Sequence, residues 1–133
     1  MPFNLFSFFA RPEIKITVNK IYYFSPRINA KHSIIIDLPS YPPCYQALVG
    51  VYNGGKKKFI LKDVVLNIEN FTLPCANHQI LEIQPDEYKQ FLWIFPAPLF
   101  LTKQKGKFIL TLIDNKNRKF SITGRFPKFD LSY

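Results

Sequence analysis

The residues of this 133-residue chain best suited to chemistry are two histidines, His32 and His78, two cysteines, Cys44 and Cys75, and nine acidic side chains. Cys75-Ala76-Asn77-His78 has the short spacing of half a metal site, and Cys44 with His32 could complete a tetrahedral set. Zinc sites pair two such short spacings, and only one is present, so a loop thiol beside a loop imidazole is the expected reading. Nucleophilic catalysis needs a serine or cysteine beside a base, and neither histidine lies in a nucleophile motif. Asp86 and Glu87 are adjacent in a turn and point apart, while Glu69 and Glu82 are a pair that strands could bring together. No G-x-G-x-x-G or P-loop occurs, and Gly54-Gly55 before Lys56-Lys57-Lys58 reads as a turn with solvated lysines rather than a phosphate cradle. The expectation is a protein that is not an enzyme and has no metal or other cofactor.

Charge is the next candidate for function. Eighteen basic residues against nine acidic ones give a net charge of +9, which raises nucleic acid as a partner. Lys103, Lys105, Lys107, Lys116, Arg118, Lys119, Arg125 and Lys128 fall close together in the chain, interleaved with Phe108, Phe120, Phe126 and Phe129. Basic charge with exposed aromatics is how single-strand binders hold a backbone and stack bases. Against that, the alternation of the strands assigns these phenylalanines mostly to the core. The excess is mostly lysine, and only Arg11, Arg27, Arg118 and Arg125 carry the guanidinium suited to bidentate phosphate contacts. A chain so rich in Lys, Asn, Ile, Phe and Tyr also matches the composition of an AT-rich genome.

The elements that must position these residues are strands. Eleven prolines interrupt almost every window in which a helix could form, and 17% of residues are aromatic. Candidate strands are 13–23, 31–38, 45–53, 58–68, 78–84, 88–95, 107–113 and 119–126. Ile14, Ile16 and Val18 alternate with Lys15, Thr17 and Asn19, which marks a strand with one wet face. Asn53-Gly54-Gly55 between two apolar runs is a hairpin signal, as is the loop Asp114-Asn115-Lys116-Asn117-Arg118. A turn at Pro85-Asp86-Glu87 leads into the strand that ends before Pro96 and Pro98. Short strands with no helix between them predict an all-β antiparallel sandwich of about seven to eight strands.

Residues 1–12 form an apolar N-terminal arm ahead of a single domain at 13–133. The arm lacks a basic start and a small-x-small cleavage site, is too short to span a bilayer, and leads to a cytoplasmic expectation if Met1 is the natural start. Cys44 and Cys75 are then expected as free thiols, and the Asn70-Phe71-Thr72 sequon carries no meaning. Phe3, Leu5, Phe6, Phe8 and Phe9 are too apolar to stay in water, since burying one such side chain is worth about 1.5–3 kcal/mol. They are expected to dock on the chain's own sandwich, on a second copy, on another protein or on a membrane surface, and as the sharper reading they are candidate contacts for a second copy or another protein.

The run Val51-Tyr52-Asn53-Gly54, then Leu61-Lys62-Asp63-Val64-Val65-Leu66-Asn67-Ile68, then Ile83-Gln84-Pro85-Asp86-Glu87-Tyr88 leading to Phe91-Leu92-Trp93, resembles immunoglobulin-like accessory modules of the CARDB or fibronectin-III type. The resemblance covers residues 45–126 and departs at Asp86, where glycine is usual in such modules. It implies a fold and not an activity. Two functions therefore stand as expectations: an immunoglobulin-like module for protein–protein binding or scaffolding, or a nucleic-acid-associated protein using its lysine-rich C-terminal surface.

Overall fold

The structure, a computed structural model, describes residues 13–24, 43–97 and 106–126. The expected strand at 31–38, the apolar arm and the side chains of His32, Lys103, Lys105 and Lys128 lie outside these residues. Within them the chain is all β: β1 (Ile14–Phe24), β2 (Cys44–Asn53), β3 (Phe59–Ile68), β4 (Phe71–Pro74), β5 (Leu81–Ile83), β6 (Tyr88–Pro96), β7 (Lys107–Asp114) and β8 (Lys119–Arg125). Every pairing is antiparallel, in two sheets with one core between them. The three-stranded sheet has the order β1-β2-β6 and the five-stranded sheet the order β4-β3-β7-β8, with β5 also paired to β3.

Alternation places the side chains, and two irregularities keep charged residues out of the core. In β1, Ile14, Ile16 and Val18 lean inward, and strict alternation would send Lys20 after them. The register instead slips between Val18 and Lys20, so Lys20 pairs with Leu48 on the outer face and Ile21 is buried opposite Ala47. In β3, where alternation after Phe59 and Leu61 would send Asp63 inward, a slip between Leu61 and Asp63 leaves Asp63 half-buried and buries Val64 instead. The centre is aromatic. Phe59 meets Phe120 edge-on at 5.3 Å, Phe108 meets Phe126 at 5.2 Å, and Phe91 stacks on Trp93 at 4.8 Å.

Asn53-Gly54-Gly55 is not a hairpin. β2 belongs to the three-stranded sheet and β3 to the five-stranded one, so this segment carries the chain from one sheet to the other. None of the described glycines has a positive φ. The crossing is organised by the buried Asn53 side chain, whose Oδ1 accepts the Gly55 N–H at 2.9 Å. Its Nδ2 donates to the carbonyls of Lys57 at 2.8 Å and Ile83 at 2.9 Å. The β7–β8 loop, by contrast, is the expected hairpin.

Sequence reasoning overlooked β4, whose four residues end in a proline and turn back from β3 through Glu69-Asn70, with Glu69 at φ 55°. The expected strand at 78–84 shrinks to Leu81–Ile83. The residues before it serve the edge of β6 instead: Ala76 donates its N–H to Ile94, and the Asn77 side chain accepts from the Ile94 N–H and donates to the Leu92 carbonyl. Ahead of β6, Asp86 adopts φ 65°, the conformation for which glycine is usual at this position of the resembling modules.

Candidate functional site

The expected C-terminal basic surface divides in two. Lys107 and Arg125 are register partners at one end of the β7–β8 hairpin, whereas Lys116, Arg118 and Lys119 sit at its turn. Seven residues of strand, roughly 23 Å, lie between the ends. Arg118 is also committed locally. Its Nε donates to Asp114 Oδ2 at 2.7 Å, while Asp114 Oδ1 accepts the N–H groups of Lys116 at 2.9 Å and Arg118 at 2.7 Å. Burial alone would push the Asp114 carboxyl up, but the Arg118 N–H, its guanidinium and the Lys116 N–H together hold it below the usual carboxylate range.

The hairpin turn meets a second basic segment that sequence reasoning treated only as solvated lysines. The Asn115 N–H donates to the Ile60 carbonyl at 3.1 Å, and Lys62 Nζ donates to Asn117 Oδ1. Lys56, Lys57 and Lys58 precede β3 at this same end, all exposed. Lys58 pairs with Glu82 at 3.4 Å and Lys89 with Glu87 at 3.9 Å. On the outer face of the three-stranded sheet, at the end where the β2–β3 connection leaves it, Lys15, Tyr52 and Tyr88 form a row. The Tyr52 hydroxyl donates to Asp86, which pushes its phenol up because the hydrogen bond and the neighbouring charge both favour the neutral form. Tyr88 is 54% exposed and its ring rests over Gly50, where a Cβ would come within 2.2 Å of the phenol oxygen.

Farther along that face, Leu48 and Leu92 are partners, and Ile94 lies beyond them; Leu92 is 48% exposed. A groove of about 780 Å³ opens where the β1 and β8 edges approach, lined by Ile16, Val18, Ile21, Phe108, Ile122 and Gly124 among others.

The chemical candidates are dispersed. His78 is held between the Cys75 carbonyl at 3.2 Å and Asp63 Oδ1 at 3.4 Å, and Cys75 Sγ donates to Asn77 Oδ1. Among the described residues, no three His, Cys, Asp or Glu side chains gather as a metal site. Cys44 and Cys75 are buried free thiols, and burial pushes both up, away from thiolate chemistry. Glu69 and Glu82 do not meet: Glu82 faces Ile60 near the start of β3, and Glu69 follows its end. Asp86 and Glu87 have separate partners, Tyr52 and the Gln84 N–H.

No protein-family model and no curated protein matches this chain. Solved structures resemble it in fold. A Bacillus subtilis protein described as a "putative lipoprotein" superposes with a TM-score of 0.57 at 12% identity, over 84% of this chain and 36% of that one. A FixG-related protein from Vibrio parahaemolyticus gives a TM-score of 0.53 at 10% identity, over 86% and 95% of the two chains. The chain thus spans about a third of the first protein and nearly all of the second. Neither description names a CARDB or fibronectin-III module, and likeness at such identities is a likeness of fold. Among the described residues no helix is long and apolar enough to cross a membrane.

Proposed function

We propose that this chain is an immunoglobulin-like sandwich module that works by binding a protein partner and catalyses nothing. Strand order supports the fold assignment. With β1, β2 and β6 taken as strands A, B and E, and β3, β7 and β8 as C, F and G, the neighbours within each sheet follow the A-B-E and C-F-G sets of immunoglobulin domains. β4 then lies beside strand C, on the side where variable-type domains add strands.

The observation that carries the binding reading is the outer face of the three-stranded sheet. The outward side of a sandwich strand is ordinarily polar, yet here Leu48, Leu92 and Ile94 adjoin one another and Leu92 is 48% exposed. An apolar patch of this kind is a contact surface. The arm residues Phe3, Leu5, Phe6, Phe8 and Phe9 are the second proposed contact, and a second copy of the chain is the simplest partner. Light scattering across a concentration series tests this. The wild type should self-associate, and Leu92→Asp should be monomeric with an unchanged circular dichroism spectrum. A wild type that stays monomeric throughout the series would defeat the self-docking form of the proposal.

A further inference from the structure

We propose that the end of the molecule formed by the β2–β3 connection and the β7–β8 turn binds single-stranded nucleic acid, with lysines on the phosphates and Tyr88 and Tyr52 against the bases. This site is separate from the apolar Leu48–Leu92 patch and takes from the C-terminal basic run read from the sequence only Lys116, at the β7–β8 turn.

The charge argument begins with what is already neutralised. Lys58, Lys89 and Arg118 pair with Glu82, Glu87 and Asp114. Lys15, Lys56, Lys57, Lys62 and Lys116 remain, against Glu13, Asp63 and Asp86 as the acids near them in sequence or register. Lys62 has a neutral partner, Asn117, so its charge is not cancelled. Lys56, Lys57 and Lys62 lie about sixty residues from Lys116 in the chain and come to one end of the molecule because β3 pairs with β7, a ladder that the Asn115 N–H extends to the Ile60 carbonyl. Their backbones are anchored: the Lys57 carbonyl takes the Asn53 amide, and the Lys116 N–H is bound by the buried Asp114. Flexible ammonium groups on fixed loops suit contacts to successive phosphates, which need a point charge and no fixed angle.

The aromatic argument selects a single strand over a duplex. Tyr88 lies on the sheet over Gly50 with about half its surface open, and Tyr52 is its register partner on the neighbouring strand. Open rings on a sheet, beside a basic strip, are how base stacking joins backbone contact, and stacking requires bases that are free of a helix. Among the described residues there is no helix to enter a major groove. Asp86 keeps its charge beside the rings, since its partner, the Tyr52 hydroxyl, is neutral, and binding depends on the lysines outnumbering it.

Fluorescence anisotropy with a labelled oligothymidine, an equal-length duplex and heparin, across a salt series, tests the assignment. The single strand should bind best, with a log–log salt slope of about −2 to −3 for three to four phosphate contacts. Lys56→Gln/Lys57→Gln/Lys116→Gln together should weaken binding at least about tenfold and flatten the slope by roughly 2. Tyr88→Leu, which keeps an apolar side chain over Gly50, should weaken oligothymidine about tenfold while leaving the slope and heparin binding unchanged. Lys107→Gln, at the opposite end, should change nothing. No binding of the single strand at low salt, a duplex bound more tightly, or equal losses for Lys107→Gln and the triple variant would each overturn the proposal. Failure of Leu92→Asp to alter oligomeric state would leave it intact.

Discussion

The Asn53 amide donates to the Ile83 carbonyl at 2.9 Å, joining the last residue of β2 in one sheet to β5 on the flank of the other. The same side chain also holds Lys57 and Gly55, and the Asn53 backbone exchanges bonds with Glu87 and Asp86. Asn53→Ala would leave the buried Ile83 carbonyl, and the part-buried Gly55 N–H and Lys57 carbonyl, without this partner. A loss of about 2–4 kcal/mol in urea unfolding is expected. A loss below about 1 kcal/mol would mean that water replaces the amide and that the crossing does not depend on it.

Gly124→Ala and Gly50→Ala should differ in cost. At Gly124 a Cβ would come within 2.6 Å of the Phe108 ring, which is buried and packed edge-on against Phe126. At Gly50 it would meet the exposed end of Tyr88, which can swing into water. Gly124→Ala should therefore cost about 1–3 kcal/mol and Gly50→Ala under about 1 kcal/mol by chemical denaturation. The reverse order would contradict the packing described for these two rings.

Asp114 makes stability depend on pH. Its carboxyl is held below the ordinary value in the folded chain, so its contribution is complete above the unfolded value of about 3.9 and is lost as pH falls through the folded one. Asp114→Asn should be less stable than the wild type by about 2 kcal/mol at neutral pH, with the gap closing in acid. Denaturation midpoints of both proteins at pH 7 and pH 3 measure this. An equal gap at both would remove the Asp114–Arg118 charge from the account.

Cys44 and Cys75 are buried, and burial pushes both thiols up. Ellman's reagent should titrate two thiols in the denaturant-unfolded chain and react at least about tenfold more slowly with the native one. Fast reaction of either in the native protein would place that residue at the surface.

Glu69 occupies φ 55° in the β3–β4 turn, a conformation that burdens a residue with a Cβ. Glu69→Gly should be stabilising by roughly 0.5–1 kcal/mol in thermal melts. A lower melting temperature would show that the Glu69 side chain contributes more than its backbone costs.

Local alternation made most strands readable, because whether Ile14, Ile16 and Val18 or Phe120 and Ile122 lean inward is settled by the two-residue repeat. The β7–β8 hairpin was equally readable: its partners are separated by five residues, and Asp114 and Asn117 have the side chains such a turn uses. β4 left too little pattern in four residues, and the register slips at Val18/Lys20 and Leu61/Asp63 break the very repeat by which strands are recognised. The lysines at 56–58 were visible as a charge run, but nothing near them in sequence points to Lys116.

By itself the sequence determined the β character and aromatic core of the described residues, since prolines break almost every helical window and alternating Ile, Val and Phe must be buried on one side of each strand. The tertiary structure alone decided what Asn53-Gly54-Gly55 does. The same residues serve a hairpin or a crossing between sheets, and the choice falls to whichever arrangement buries both β2 and β3. Here the two strands lie in opposite sheets with their inner faces on the shared core, and that crossing carries Lys56–Lys58 to the β7–β8 turn.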